Sequence, residues 1–299
     1  MDREKLKNLA IRTVSSIVLL LVVVGALVLS KWSVGVLFAA VMIGGLAEFY
    51  KLCQKRGYKP MSWVGFSTSI ALFAGSFSVF VSYDAFLSDM ADTADTAILI
   101  AVMCLLYIVV MIPTTLVLEL WHKSSTPIEN LATTYMSVIY IAFPMTVIFY
   151  VPEALVGDWN AWAMLAFMAI VWANDVFAYL VGVSIGKHRM CERISPKKSW
   201  EGFFGGLVGA IGMALLFGYL FEGNLYIWGG LGVVTALAGV AGDLVESMMK
   251  REVDVKDSGK MMPGHGGFLD RFDALFVAVP FVMIYLFIAS LAEHVVAAV

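Results

Sequence analysis

The chain alternates long apolar segments with short polar ones. Nine segments are close to the roughly 20 mostly apolar residues that an α-helix needs to cross the hydrocarbon core of a bilayer. The predicted spans are residues 11–30, 33–50, 63–82, 97–120, 131–151, 161–183, 203–221, 226–246 and 273–291. This pattern predicts an all-α, polytopic integral membrane protein with about nine transmembrane helices.

The composition supports a membrane protein. Of the 299 residues, 61% are hydrophobic and 14% are charged, whereas soluble domains are roughly 45–50% apolar and about 25% charged. A net charge of -3 and the absence of a basic run interleaved with aromatic residues predict no nucleic-acid partner. The three cysteines form no CxxC pair, so we assign them neither a disulfide nor a zinc site.

Charge is distributed unevenly between the polar connections. Of the 20 Lys and Arg residues, all but Lys31 lie in segments that the nine spans would place on one side of the membrane. The positive-inside rule makes that side cytosolic. We therefore expect a cytosolic N-terminus, an outside C-terminus and a first apolar segment that is retained as a span.

Polar and charged residues within the predicted spans are concentrated in the second half of the chain. We divide the sequence into residues 1–160, with spans one to five, and residues 161–299, with spans six to nine and the expected site. Glycine pairs at helical spacing predict close helix packing in the second part; they are Gly182 with Gly186, Gly202 with Gly206, and Gly205 with Gly209.

Two aspartates stand out within the predicted spans of the second half of the chain. Asp175 follows Asn174 in span six, and Asp243 lies in span eight; a central Asp costs about 2.5–3.5 kcal/mol on an insertion scale. Helical spacing predicts one polar face consisting of Asp243, Glu246, Ser247, Lys250 and Arg251. Each feature also has an explanation without a functional site. Asp175 could form an interhelical hydrogen bond or lie shallow enough to reach water, and Lys250 and Arg251 could be cations at a helix end that extend to the membrane interface.

The segment between spans eight and nine is polar and rich in glycine. Gly264, Gly266 and Gly267 surround His265 and allow backbone to approach a ligand closely. Asp270 and Asp273 follow at helical spacing, so both could face one site, although Asp273 could instead simply favour the helix dipole.

A second candidate anion site precedes span seven. Lys197 and Lys198 stand just before a helix that is predicted to begin near Ser199, and a helix N-terminus with adjacent lysines suits an anion. The alternative is a pair of ordinary cytosolic lysines.

Together these residues predict the type of chemistry. Carboxylates suit Mg²⁺, and Lys and Arg suit phosphates, so we predict a phosphoryl-transfer site at the cytosolic face. No GxxxxGK[ST] loop is present, which argues against a phosphate-loop NTPase.

At these residues the chain resembles the CDP-diacylglycerol synthases, or phosphatidate cytidylyltransferases. The resemblance is carried by a signature consisting of Ser247, Lys250, Arg251, Lys256, Asp257, His265, Gly266, Gly267, Asp270, Arg271 and Asp273. The blocks SPKKSWEGFFGG (195–206) and NDVFAYLVGVSIGK (174–187) are also similar to family blocks.

The resemblance implies a Mg²⁺-dependent transfer of CMP from CTP to phosphatidic acid, with a second cation left open. On this basis we expect Asp243 and Asp270 to hold the metal, with Asp175 and Asp273 either as further ligands or as partners that contact the ligands. Lys250, Arg251 and His265 would act with Asp243 and Asp270 in catalysis. The implied substrate-binding residues are Lys197, Lys198, Ser247, Lys256, Asp257, Gly266, Gly267 and Arg271.

The expected setting is a bacterial inner membrane, with CTP, phosphatidic acid and membrane lipids as partners and a homodimer left open. Three other functions are weighed against this one. A CTP-dependent lipid kinase or a nucleotidyltransferase for another lipid phosphate would use similar residues. An ion-coupled transporter would also have intramembrane acids, but it does not call for the cluster of Lys and Arg. A membrane scaffold leaves Asp175 and Asp243 unexplained.

Overall fold

The structure is a computed structural model. It describes the backbone of residues 3–83, 91–259, 261 and 266–297, and the side chains of residues 13–83, 92–259, 261 and 266–293. The predicted catalytic residue His265 and the neighbouring Gly264 lie outside the described residues.

Helices dominate the chain. They are α1 (Arg3–Leu29), α2 (Lys31–Lys55), α3 (Ser62–Val81), α4 (Ala91–His122), α5 (Pro127–Ser137), α6 (Phe143–Val147), α7 (Val151–Val156), α8 (Ala161–Ile185), α9 (Trp200–Leu220), α10 (Leu225–Glu252) and α11 (Leu269–Ala297). Within the described residues, eight helical segments are long and apolar enough to cross a membrane. The apolar part of α1, Thr13–Leu29, is shorter and coincides with the first predicted span. The predicted all-α, polytopic membrane fold is confirmed.

The fifth predicted span is built from several helical pieces. A π-helical turn at Val138–Ala142 separates α5 from α6, and a 3-10 turn at Ile148–Tyr150 separates α6 from α7. Pro144 has no amide hydrogen to continue the α-helical pattern. Just before it, the Phe143 N–H donates to the Val138 carbonyl five residues back, which widens the helix by one residue.

Packing divides the chain into two units, each with its own core. The first unit contains Met1–Phe149 and Glu252–Arg271, and the second contains Tyr150–Arg251 and Phe272–Val299. In the first unit, the buried ring of Phe149 contacts an aromatic cluster consisting of Phe38, Phe73, Phe77 and Phe80. The predicted boundary at residue 160 rests on composition alone and stays a prediction.

Glycines bring α8 and α9 close together in the second unit. A Cβ atom on Gly206 would lie 2.7 Å from Asn174 Oδ1, and one on Gly202 would lie 2.8 Å from the Ala178 carbonyl oxygen. Gly205 lies against Val181 in the same way. The predicted packing role of these glycines is confirmed, and it places the polar part of α8 directly against α9.

A short hairpin connects α8 to α9. Strands β1 (Arg189–Cys191) and β2 (Ser195–Ser199) pair antiparallel, with Arg189 opposite Ser199 and Cys191 opposite Ser195. The sequence analysis did not predict these strands. The hairpin ends directly at the first turn of α9, so Lys197 and Lys198 lie on a strand whose position is set by backbone pairing.

Two contacts join the hairpin to α9. Ser199 caps the helix, because its Oγ accepts a hydrogen bond from the Gly202 N–H at 3.2 Å, which confirms the helix start that the sequence predicts. The Glu201 carboxylate accepts hydrogen bonds from the backbone N–H groups of Lys187 and His188. These bonds satisfy the backbone where α8 ends and the hairpin begins.

Candidate active site

A cavity of about 550 Å³ lies in the second unit among α8, the hairpin, α9 and α10. Its polar lining consists of Asn174, Asp175, Arg189, Lys197, Lys198, Ser199 and Asp243. Its lining also includes Tyr179 and Val183, whose side chains are exposed. Four of the residues singled out from the sequence, Asp175, Lys197, Lys198 and Asp243, therefore share one cavity.

Lys198 and Asp243 form an ion pair in this cavity. The Lys198 Nζ lies 2.7 Å from Asp243 Oδ2, and it also donates to the Val240 carbonyl at 3.4 Å. The Lys198 side chain is 22% exposed and the Asp243 side chain is 41% exposed. The contact joins the hairpin to α10, so at least one of the two predicted anion-binding lysines is held beside an acid.

The polar face predicted for α10 is present. Ser247 Oγ donates to Asp243 Oδ1 at 3.3 Å, and Lys250 Nζ lies 2.5 Å from Glu246 Oε2. The Glu246 and Lys250 side chains are 1% and 12% exposed. Each of these two contacts joins residues four positions apart, which is the spacing at which side chains meet on a helix.

Three acids in this unit lie close enough to hold a cation. Asp243, Glu246 and Asp273 each offer a carboxylate oxygen, and these oxygens lie within 4.8 Å of one another. Carboxylate oxygens are the ligands that Mg²⁺ prefers. The donor set therefore fits a hard divalent cation. Glu246 was placed on this face from the sequence but was not chosen as a ligand.

Asp175 and Asn174 provide polar side chains from α8. The Asn174 side chain is 2% exposed, and its Nδ2 donates to Asp175 Oδ1 at 3.5 Å. Both residues line the cavity that Asp243 also lines. Asp175, Asp243 and Asp273 all belong to the second unit, and their predicted role as metal ligands stays a prediction.

Asp270 belongs to the first unit and makes a different set of contacts. Its Oδ2 accepts hydrogen bonds from the Ser258 N–H at 2.9 Å and from the Gly267 N–H at 2.8 Å. Gly266, with φ +86°, adopts a left-handed conformation that favours glycine. Metal binding by Asp270 together with Asp243 stays a prediction.

The remaining signature residues that the structure describes are exposed at the surface of their own units. Arg251 donates from Nε to the Ile194 carbonyl at 3.3 Å, which joins α10 to the hairpin turn. Lys256, Asp257 and Arg271 are exposed. Their charge and exposure are compatible with substrate binding, and their predicted contact with substrates stays a prediction.

One buried acid of the first unit was missed by the sequence analysis. Glu48 in α2 is 4% exposed, and its Oε2 accepts a hydrogen bond from the Leu269 N–H at 3.0 Å and lies 3.0 Å from Ser258 Oγ. The available signal was the same one that pointed to Asp175, an acid inside a predicted apolar span. It was overlooked because residues 1–160 were treated as the part without a site.

Comparison with known proteins identifies the relatives of this chain. A model described as "Cytidylyltransferase family" matches residues 10–289. A protein named phosphatidate cytidylyltransferase from Staphylococcus aureus is 47% identical over 119 residues, which cover 39% of this chain and 46% of the relative. A Haemophilus influenzae protein of that name is 45% identical over 130 residues, covering 42% of this chain and 45% of the relative. One from Mycobacterium bovis is 44% identical over 117 residues, covering 39% and 38%. The matched segment thus spans less than half the length of each of these relatives.

Proposed function

The chain belongs to the cytidylyltransferase family, and we propose that it is an integral membrane enzyme that transfers CMP from CTP to phosphatidic acid. The products are CDP-diacylglycerol and pyrophosphate. The names of the relatives from three bacterial genera support this choice of substrates. The proposed location is the inner membrane of a bacterium, with the basic connections and the N-terminus in the cytosol.

The observation that carries the proposal is the combination of an acid cluster and lysines at one cavity. Asp243 belongs to the cluster with Glu246 and Asp273, and it is also paired with Lys198 in the cavity. Carboxylates that hold a divalent cation next to cationic side chains suit a nucleoside triphosphate. The exposed apolar wall at Tyr179 and Val183 suits a substrate that arrives from the bilayer.

In the proposed reaction, an anionic oxygen of phosphatidate attacks the α-phosphorus of CTP. The new phosphorus–oxygen bond forms as the bond to the β-phosphate oxygen breaks, and pyrophosphate leaves with the negative charge. The attacking oxygen is already ionised, so the chain needs no general base. Its work is to hold two polyanions in line and to offset their charge.

Asp243, Glu246 and Asp273 would hold Mg²⁺. The roles as ligands that the sequence predicts for Asp270 and Asp175 stay predictions. The ion supplies charge stabilisation for the phosphates and the departing pyrophosphate. Lys198, together with Lys197, would bind phosphate oxygens at the start of α9. Lys250, Arg251, Lys256, Arg271 and His265 are the remaining cationic candidates for the triphosphate and the lipid phosphate.

The test is a product assay on the purified protein in detergent with labelled CTP, phosphatidic acid and Mg²⁺. We expect a labelled lipid that yields CMP on hydrolysis, together with one pyrophosphate per turnover. A lipid kinase would instead release CDP and leave the lipid without cytidine. Formation of CDP with no cytidine-containing lipid refutes the proposal.

The Asp243→Asn variant tests the site within that assay. It removes one carboxylate charge but keeps the size of the side chain, and we expect a loss of activity on the order of 100-fold or more, as for other groups that stabilise charge in a transition state. The matched control is Asp92→Asn, which changes an exposed acid of the first unit near the start of α4. Equal activity of the Asp243 variant and the control contradicts the assignment.

A further inference from the structure

Glu48 makes contacts that a carboxylate inside a membrane helix needs in order to be stable. The side chain is 4% exposed, and an ionised group so removed from water is costly unless it is hydrogen-bonded. The Leu269 N–H provides one donor at 3.0 Å and the Ser258 hydroxyl provides a second at 3.0 Å. Both donors come from the polar segment of residues 252–271, which packs in the same unit as α2.

The Leu269 contact also has a role in the local geometry. Leu269 is the first residue of α11, and the first amide groups of a helix have no partner within it. A carboxylate at this end also interacts favourably with the helix dipole. Glu48 therefore accepts a hydrogen bond from a Leu269 N–H group that has no partner within α11, and this bond ties the first residue of α11 to α2.

The backbone of the segment is shaped around this carboxylate. A Cβ atom on Gly267 would collide with Glu48 Oε1 and Oε2, and one on Gly259 would collide with Glu48 Oε1. Ser258 Oγ also lies 2.9 Å from Asp270 Oδ2, so one hydroxyl stands between the two acids. Glycine at two positions and serine at a third are the residue types that permit so close an approach.

A second contact joins α2 to the start of the segment. Arg56 Nε lies 2.6 Å from Glu252 Oε1, but the two side chains are 49% and 58% exposed. Exposed ion pairs contribute little to stability. The buried contacts of Glu48 therefore contribute more to the position of the segment than this exposed pair does.

We propose that Glu48 is a positioning residue for the cytidylyl transfer: through Ser258 and Leu269 it holds the segment that carries Lys256, Asp257, Gly266, Gly267 and Asp270 in its working shape. This inference rests on the proposed function. It gives α2, one of the N-terminal helices, an indirect role in the reaction, because Glu48 belongs to α2. Glu48 acts through the segment rather than by touching the substrates.

Three variants of the full-length protein in detergent test this inference. Glu48→Ala removes both contacts, Glu48→Gln keeps an acceptor oxygen at the same position, and Ser258→Ala removes one donor. We expect Glu48→Ala to lower kcat/KM for CTP by roughly tenfold or more, the factor associated with a hydrogen bond to a charged group. Glu48→Gln should stay within about threefold of the wild type, because position rather than charge is required.

The matched control is Glu119→Ala. Glu119 is a buried acid of the same unit, 6% exposed, and it accepts a hydrogen bond from Asn130 Nδ2 at 2.8 Å in the connection between α4 and α5. Its loss should lower the melting temperature but leave kcat and KM of the folded fraction unchanged. Equal effects of Glu48→Ala and Glu119→Ala on kcat and KM would reduce Glu48 to a stabilising residue and overturn the inference.

Two further measurements complete the test. Amide hydrogen exchange should be faster at Leu269 in Glu48→Ala than in the wild type, and unchanged exchange there overturns the inference. The effects of Glu48→Ala and Ser258→Ala on kcat/KM should be less than additive, because both break the same contact. Glu48→Gln as inactive as Glu48→Ala would indicate a charge requirement and would also overturn it.

The outcomes separate the inference from the proposed function. If the wild type forms no CDP-diacylglycerol, the proposed function fails, whatever the exchange measurement shows. If the wild type is active and the Glu48 variants keep full activity, only the positioning role fails.

Discussion

Replacing Gly206 with alanine tests whether the close contact between α8 and α9 shapes the cavity. In a helix without steric conflict, a change from glycine to alanine stabilises a protein by about 0.4–1 kcal/mol, because it reduces the freedom of the unfolded chain. At Gly206, however, the new Cβ would lie 2.7 Å from Asn174 Oδ1 and 2.8 Å from the Asn174 carbonyl oxygen. The side-chain oxygen can rotate away, but the carbonyl belongs to the backbone of α8, so one helix must shift.

The size of the effect follows from these two contributions. Overpacking of this kind costs about 1–3 kcal/mol, so we expect Gly206→Ala to destabilise the protein by roughly 1–2 kcal/mol after the gain in helix preference is subtracted. Activity should also fall, because Asn174 is displaced next to Asp175 and both line the cavity. Thermal unfolding followed by tryptophan fluorescence in detergent measures the first effect, and the product assay measures the second.

Gly212 provides the matched control on the same helix. A Cβ atom there would meet nothing within 4 Å. Gly212→Ala should therefore leave activity unchanged and raise stability by a few tenths of a kcal/mol to about 1 kcal/mol. If Gly206→Ala is as stable and as active as Gly212→Ala, the argument that helix contact at Gly206 determines the site geometry is wrong.

Two other predictions concern the charged groups of the site. Lys198→Ala should raise KM for CTP or phosphatidic acid by roughly tenfold or more, because it removes a cation paired with Asp243; Lys187→Ala, which changes a lysine outside that cavity, is the control, and equal kinetics of the two variants refute the role of Lys198. Glu246→Gln should weaken binding of Mn²⁺ by about 10–100-fold, measured by electron paramagnetic resonance without nucleotide; unchanged affinity would remove Glu246 from the ligand set.

The fold could be predicted well because a membrane restricts the secondary structure that a long apolar segment can adopt. Long apolar runs can only be helices in lipid, so span positions followed from hydropathy alone. The local site features were also accessible, because they depend on helical spacing: Ser247 lies four residues after Asp243, and Lys250 lies four residues after Glu246. Spacing along one helix is visible in a sequence.

Contacts between distant parts of the chain were not accessible in the same way. Glu48 meets Ser258, 210 positions later, and nothing in the local pattern of either segment specifies the partner. The hairpin before α9 was missed because its strands are three and five residues long and lack an alternating apolar pattern. The choice between Asp270 and Glu246 as a partner of Asp243 likewise depends on how helices pack, which a single sequence does not specify.

Charge and packing in the second unit together support the proposed cation. Gly242 lies against the backbone of Asp273 and Ala274, which brings α10 and α11 together beside Asp243 and Asp273. At separations below 4.8 Å, two carboxylates repel each other by roughly 3 kcal/mol at an effective dielectric constant of about 20, and by less where water reaches Asp243. Lys198 pairs with Asp243 and Lys250 pairs with Glu246, whereas no lysine is paired in this way with Asp273 among the ion pairs of the described residues. A divalent cation at this cluster would offset the repulsion between the carboxylates, at the place where the phosphates of a nucleotide are proposed to bind.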